Sequence, residues 1–225
     1  KEEAKDILRN ISPAELALIE QEMIQEGVSR QEMRRLCDVH LEILKEHLEE
    51  VEMELEPGHP VHTLMEEHKM ILSFLEKLRE VNERISSAKS FDEVKEELEL
   101  LVHIAEHLVE ADKHHEREED VLFPALEEHG IVEPPEIMKE EHEELKPRKK
   151  ELYRIATERE RYEYSEFARK VKELAEYITD ELPKHIYKED RILYPMAVQT
   201  LPEELWDEIK RKCDEIGYCC FTPQH

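Results

Sequence analysis

Apolar residues return every three or four positions along most of the chain, and charged residues fill the faces between them. That spacing predicts amphipathic helices, and no stretch shows the two-residue alternation of a strand. One stripe reads Val61, Leu64, His68, Ile71, Leu75, Leu78. A second reads Ala111, His114, Glu118, Val121, Ala125. A third reads Met138, His142, Leu145, Leu152, and a fourth Ile178, Leu182, His185, Glu189, Ile192, Met196.

Capping signals set the boundaries. Ser12-Pro13-Ala14-Glu15 reads as a capping box with proline at the first helical position, and Gly27 closes that helix. Ser29-Arg30-Gln31-Glu32 opens a second helix toward Leu55, before Pro57-Gly58. Further helices are predicted from Pro60 to Ile85, from Ser90-Phe91-Asp92-Glu93 to Gly130, from Pro134-Pro135 onward, from Tyr164 to Val198, and from Thr200-Leu201-Pro202-Glu203 to Gly217. Pro147 and Pro183 fall inside two of them and predict bends. The expected fold is all-α: an antiparallel, up-down-up-down four-helix bundle over residues 57–200. A helical domain, 1–56, precedes it, and a short helix and tail, 201–225, follow.

Composition narrows the partners. The net charge of −26 sets nucleic acid and anionic membrane aside. No run approaches a membrane span, and the charged opening "KEEAKDILRN" does not read as a signal peptide. Cys37, Cys213, Cys219 and Cys220 have neither zinc-ligand spacing nor disulfide density, so reduced thiols in a cytoplasm are the expectation. Cys219-Cys220 reads as part of a loose tail.

The chemistry lies where the stripes are interrupted. "HHEREEDVLFP" (114–124) returns as "HIYKEDRILYP" (185–195). Residues four apart share a helix face, so His114 pairs with Glu118 and His185 with Glu189. Both pairs sit on apolar faces, where unpaired carboxylates are costly. His68 and His142 interrupt the other two stripes. Four imidazoles and two carboxylates could hold two metals, each taking two His and sharing both Glu as bridges. Glu119 and Asp190, one residue on, are rivals for the carboxylate role, rotated by about 100°. His107 is placed to line the cavity or support a ligand, with His103 further out. His115, His129 and His225 read as solvated, and His40, His47, His59 and His62 fall outside the layer. A single buried His is more often structural; the weight rests on all of these features together.

These motifs resemble the hemerythrin-like, HHE cation-binding domains over about residues 58–200. "LCDVH" (36–40), "GHPVHTL" (58–64), "FPALEEHGI" (123–131) and "DEIGYC" (214–219) resemble a subgroup in which an uncharacterised helical domain precedes the bundle. Its longer members continue into a PAS domain. The resemblance implies a non-haem centre of two iron ions, bridged by oxygen or carboxylate. The ligands it implies are His68, His114, Glu118, His142, His185 and Glu189. It also implies a protein that binds, senses or reacts with oxygen or nitric oxide, or handles iron, with a protein partner or PAS domain as further partners. The oxygen carriers place an extra His where this chain has Lys146, which argues against simple carriage. Their last bridging acid lies five residues after its His, which would select Asp190. Imidazole and carboxylate also suit manganese or zinc. The alternative reading is a sensory or interaction module with a structural metal and no redox chemistry. An enzyme would need an electron source, and no flavin, haem or iron–sulfur motif is present.

Overall fold

The computed structural model of the chain describes residues 13–30, 32, 33, 53 and 55–223. Helix α1 (Pro13–Gln25) ends as its glycine predicts. Gly27 has φ +110°, the Gly27 N–H donates to Ile24 O and the Val28 N–H to Met23 O. This left-handed cap satisfies the last carbonyls of the helix. At the next capping box the Glu32 N–H donates to Ser29 Oγ at 3.3 Å. The rest of that predicted helix, with Cys37, His40 and His47, lies outside the described residues.

The bundle is built from α2 (Pro60–Ser87), α3 (Lys95–Glu110), α6 (Glu133–Thr157) and α7 (Tyr164–Lys188). α2 packs on α3 and α7, and α6 packs on the same two. The predicted helix from Ser90 to Gly130 is divided. Ser90 precedes only a short turn, Phe91–Glu93, because Phe91 packs into Tyr164 and Phe167. A further break at Ala111 separates α3 from α4 (Asp112–Arg117), and a π-helical turn, Glu118–Leu122, leads into α5 (Phe123–Glu128). The last bundle helix repeats this pattern: π-helical turn Glu189–Leu193, then α8 (Tyr194–Thr200). Each turn begins on the motif glutamate and precedes an aromatic-proline pair. Pro124 and Pro195 have no N–H and would clash with the carbonyl four residues back, which a widened turn accommodates. Pro147 and Pro183, by contrast, lie inside unbroken helices.

Apolar burial forms two cores. One runs through Ile71, Leu78, Leu101, Leu145, Leu152, Val171 and Ile178. The other gathers Val61, Leu64, Val121, Phe123, Met138, Leu193 and Met196. The helix α1 lies over the second core through Met23 and Ile24, and Gln21 holds Gly130 O and the Val132 N–H. α9 (Trp206–Ile216) packs against α2 and α4. No helix among the described residues is long and apolar enough to cross a membrane.

Candidate metal centre

A polar layer lies between the two cores. His68, on α2, sits between Leu64 of one core and Ile71 of the other; His142, on α6, sits between Met138 and Leu145. With His114, Glu118, His185 and Glu189 they are all buried, none more than 2% exposed. The Nε2 atoms turn inward. His142 Nε2 is 2.8 Å from His185 Nε2. Glu189 Oε1 lies 2.9 Å from His185 Nε2 and 3.5 Å from His142 Nε2, and Glu189 Oε2 is 3.2 Å from His68 Nε2. Glu118 Oε2 is 3.5 Å from His114 Nε2 and 3.6 Å from His142 Nε2. These approaches are short but lack hydrogen-bond alignment: Glu118 Oε2 and both oxygens of Glu189 are buried without a hydrogen-bond partner. Orphaned carboxylate oxygens facing converging imidazole nitrogens fit a cation. Groups able to hold one include His68–His114–Glu189 and Glu118–His142–Glu189.

Each imidazole is gripped from behind by a carboxylate on a neighbouring helix. Glu67 on α2 accepts from His114 Nδ1 at 2.8 Å. Glu119, beside Glu118, accepts from His142 Nδ1 at 2.6 Å. Glu141 on α6 accepts from His185 Nδ1 at 2.8 Å, and Asp190, beside Glu189, accepts from His68 Nδ1 at 2.7 Å. The circuit closes: each acid is next in sequence to one candidate ligand and holds the His of the following helix. Such contacts place the N–H on Nδ1 and leave Nε2 as the donor atom toward a metal. The two halves match further. Arg117, before Glu118, holds Glu67 at 2.7 Å, and Lys188, before Glu189, holds Glu141. Tyr194 stacks on His68 as Phe123 stacks on His142. Only the tyrosine has a hydroxyl, and it donates to Glu118 Oε1 at 2.7 Å.

The charge distribution follows from this geometry. Burial pushes the Glu118 carboxyl up, and the neighbouring Glu189 carboxylate pushes it further, well above the usual range. Burial acts on Glu189 in the same direction, but His185, His142 and His68 outweigh it and hold it well below. Burial opposes charge on His68 and His185 too, yet Asp190 and Glu189 raise the first and Glu189 and Glu141 the second. His114 is pushed down to about 4 by burial. Glu67, despite burial, is held at about 2 by the His114 hydrogen bond and Arg117; since His114 is neutral at pH 7, the guanidinium is the lasting counter-charge. Within the layer the protonated forms of Glu118, His68 and His185 are favoured over their ordinary balance.

All six candidate residues read from the stripes converge. Glu119 and Asp190, the rivals one residue on, face the imidazole Nδ1 atoms instead. His115 departs from expectation: it is buried, stacks on His142 at 3.9 Å between centroids, and forms a further convergent group with His142 and His185. Because α6 covers its side of α4, it is not solvated. His107 lies away from the layer, stacked on Phe74 and 3.2 Å from Cys220 Sγ through Nδ1. Cys219 is buried, so the tail is docked, not loose. Glu67, Glu141, Arg117 and Lys188 escaped the sequence reading. Their signal was present: the dipeptide Glu-His occurs at both 67–68 and 141–142, and a basic residue precedes both motif glutamates.

Two family profiles match the chain. The hemerythrin HHE cation binding domain covers residues 59–197, and a family of unknown function, DUF438, covers residues 1–50. Comparison with curated proteins gives no match.

Proposed function

This chain belongs to the hemerythrin HHE cation-binding family, and on that premise we propose that His68, His114, Glu118, His142, His185 and Glu189 hold a pair of iron ions that bind, sense or react with oxygen or nitric oxide. The observation that carries the reading is the set of three orphaned carboxylate oxygens among four inward Nε2 atoms, sealed between two apolar cores. Bound iron supplies a change of valence and exchangeable positions for a diatomic ligand. The chain does the rest. Glu67, Glu119, Glu141 and Asp190 orient the imidazoles, the cores exclude water, and Tyr194 holds a proton at Oη against Glu118.

Lys146 supports a role other than reversible carriage. Its Nζ is 2.7 Å from Glu119 Oε1, so it is committed to the outer circuit and adds no donor nitrogen to a metal. The division into residues 1–56, 57–200 and 201–225 belongs to the same proposal; the two matched ranges support its first boundary.

The test is iron(II) reconstitution under anaerobic conditions, metal analysis, then absorption spectra with nitric oxide and with oxygen. The expected result is about two irons per chain, as in other carboxylate-bridged helix bundles, with a new band on adding nitric oxide. A single metal, or a zinc-selective centre with silent spectra, would overturn it.

A further inference from the structure

The segment after α9 turns at Gly217, and each of its next five residues touches the bundle, three of them at Arg117 or Glu67 beside the centre. Tyr218 lies under the Arg117 guanidinium, 4.8 Å from ring centroid to Cζ. Cys219 Sγ accepts from Arg117 Nη2 at 3.8 Å and is 5% exposed. Cys220 Sγ lies 3.2 Å from His107 Nδ1. Phe221 meets Phe74 and His107 edge-on. Thr222 Oγ1 donates to Glu67 Oε1. Glu67 is therefore a junction: its Oε2 takes the His114 Nδ1–H, its Oε1 takes Thr222, and Arg117 Nη2 donates to both oxygens.

We propose that Thr222 is a positioning residue of the metal centre, and that the segment 218–222 is seated by metal binding through the path His114, Glu67, Thr222. The inference rests on the metal reading above. The physical reason is rigidity. Imidazole bound through Nε2 has its ring plane fixed and its N–H committed to Nδ1. That fixes Glu67, whose other oxygen then has one place for the Thr222 hydroxyl. Without metal, His114 is held only by its Nδ1 contact to Glu67 and the 3.4 Å approach of Tyr194 Oη to its Nε2. Glu67 then keeps Arg117 on both oxygens, but its His114 contact is no longer held at a fixed angle. Coupling between two binding events is reciprocal, so the contact must favour metal by the factor by which metal favours the contact.

Cys219 reports the seating, because alkylation requires the segment to lift. Wild-type protein, metal-free and iron(II)-loaded under anaerobic conditions, is treated with iodoacetamide, and each cysteine is followed by peptide mass spectrometry. Cys213, buried on the inner face of α9, is the control for global opening. Metal should slow Cys219 labelling about ten-fold more than Cys213 labelling, a coupling of the usual size. Thr222→Val should abolish that difference and weaken iron binding by a similar factor, and Thr222→Ser should restore both. If the protein takes up iron but Cys219 labels at the same rate with and without it, the proposal is overturned while the metal reading stands. Equal slowing of Cys213 and Cys219 overturns it too, since that is global stabilisation. If no iron binds, both fall.

Discussion

Replacing Glu118 by glutamine separates what the fold needs from what a metal needs. Glu118 is fully buried, and burial together with the charge on Glu189 favours its protonated form. Glutamine is the neutral isostere of that form. Its carbonyl can still accept from Tyr194, and its amide can donate toward the nearby imidazole nitrogens. The metal-free variant should match the metal-free parent within about 1 kcal/mol, the net worth of one hydrogen bond. The loaded proteins should differ. A ligand at a hundred times its Kd stabilises the native state by about 2.7 kcal/mol. For a chain of this size that is roughly 5–11 °C in Tm. The variant, short of one anionic ligand, should lose most of that shift. Thermal melts followed by circular dichroism, with and without iron(II), measure both quantities. The reasoning fails if the metal-free variant loses more than about 3 kcal/mol, the cost of breaking a buried ion pair. It fails equally if the full metal shift survives.

Chelating the loaded protein should lower Tm more near pH 8 than near pH 5.5. His68 and His185 have raised values, so their support of the metal-free fold is full below about 6.5, the unfolded value, and fades as pH rises through the folded ones. The raised Glu118 carboxyl acts in the same direction, and a metal that displaces protons from these groups binds more tightly as pH rises. Identical melts for both forms at both pH values would refute a core site. Glu119→Ala and Asp190→Ala should each weaken metal binding by about 10–100-fold, the usual cost of losing an outer partner of a ligating His, without changing stoichiometry. Calorimetric titration checks this; loss of a whole metal from Asp190→Ala would make Asp190 a ligand and move the candidate register by one residue.

The bundle and the inner ligand set could be read from sequence because both depend on one helix at a time. A polar residue on an apolar stripe is visible without knowing what it faces, and His68, His114, Glu118, His142, His185 and Glu189 all lie on such stripes. Glu67 and Glu141 lie one position off theirs, where a single helix predicts solvent. They are buried only because the neighbouring helix brings an imidazole and a cation to them. His115 misled for the same reason, α6 covering the face that α4 alone would expose. The π-helical turns were hidden because the reading assumed one uniform helical period through the motif. Ser90 fits a capping box by residue type, but Phe91 is drawn into the aromatic cluster and regular helix begins only at Lys95.

The direction of the carboxylate circuit bears on handedness. Four antiparallel helices can be arranged clockwise or counter-clockwise, and the apolar stripes of a near-symmetric bundle discriminate poorly between the two. The acids do discriminate. Each helix offers its carboxylate on the side facing its successor in the chain, from α2 to the α3–α4 arm, on to α6, to α7 and back to α2. In the mirror arrangement every acid would point toward the predecessor, and all four imidazoles would lose their partners together. The outer shell of the centre therefore also serves as a topological lock, selecting one enantiomeric order of helices from two that hydrophobic burial alone would nearly equate.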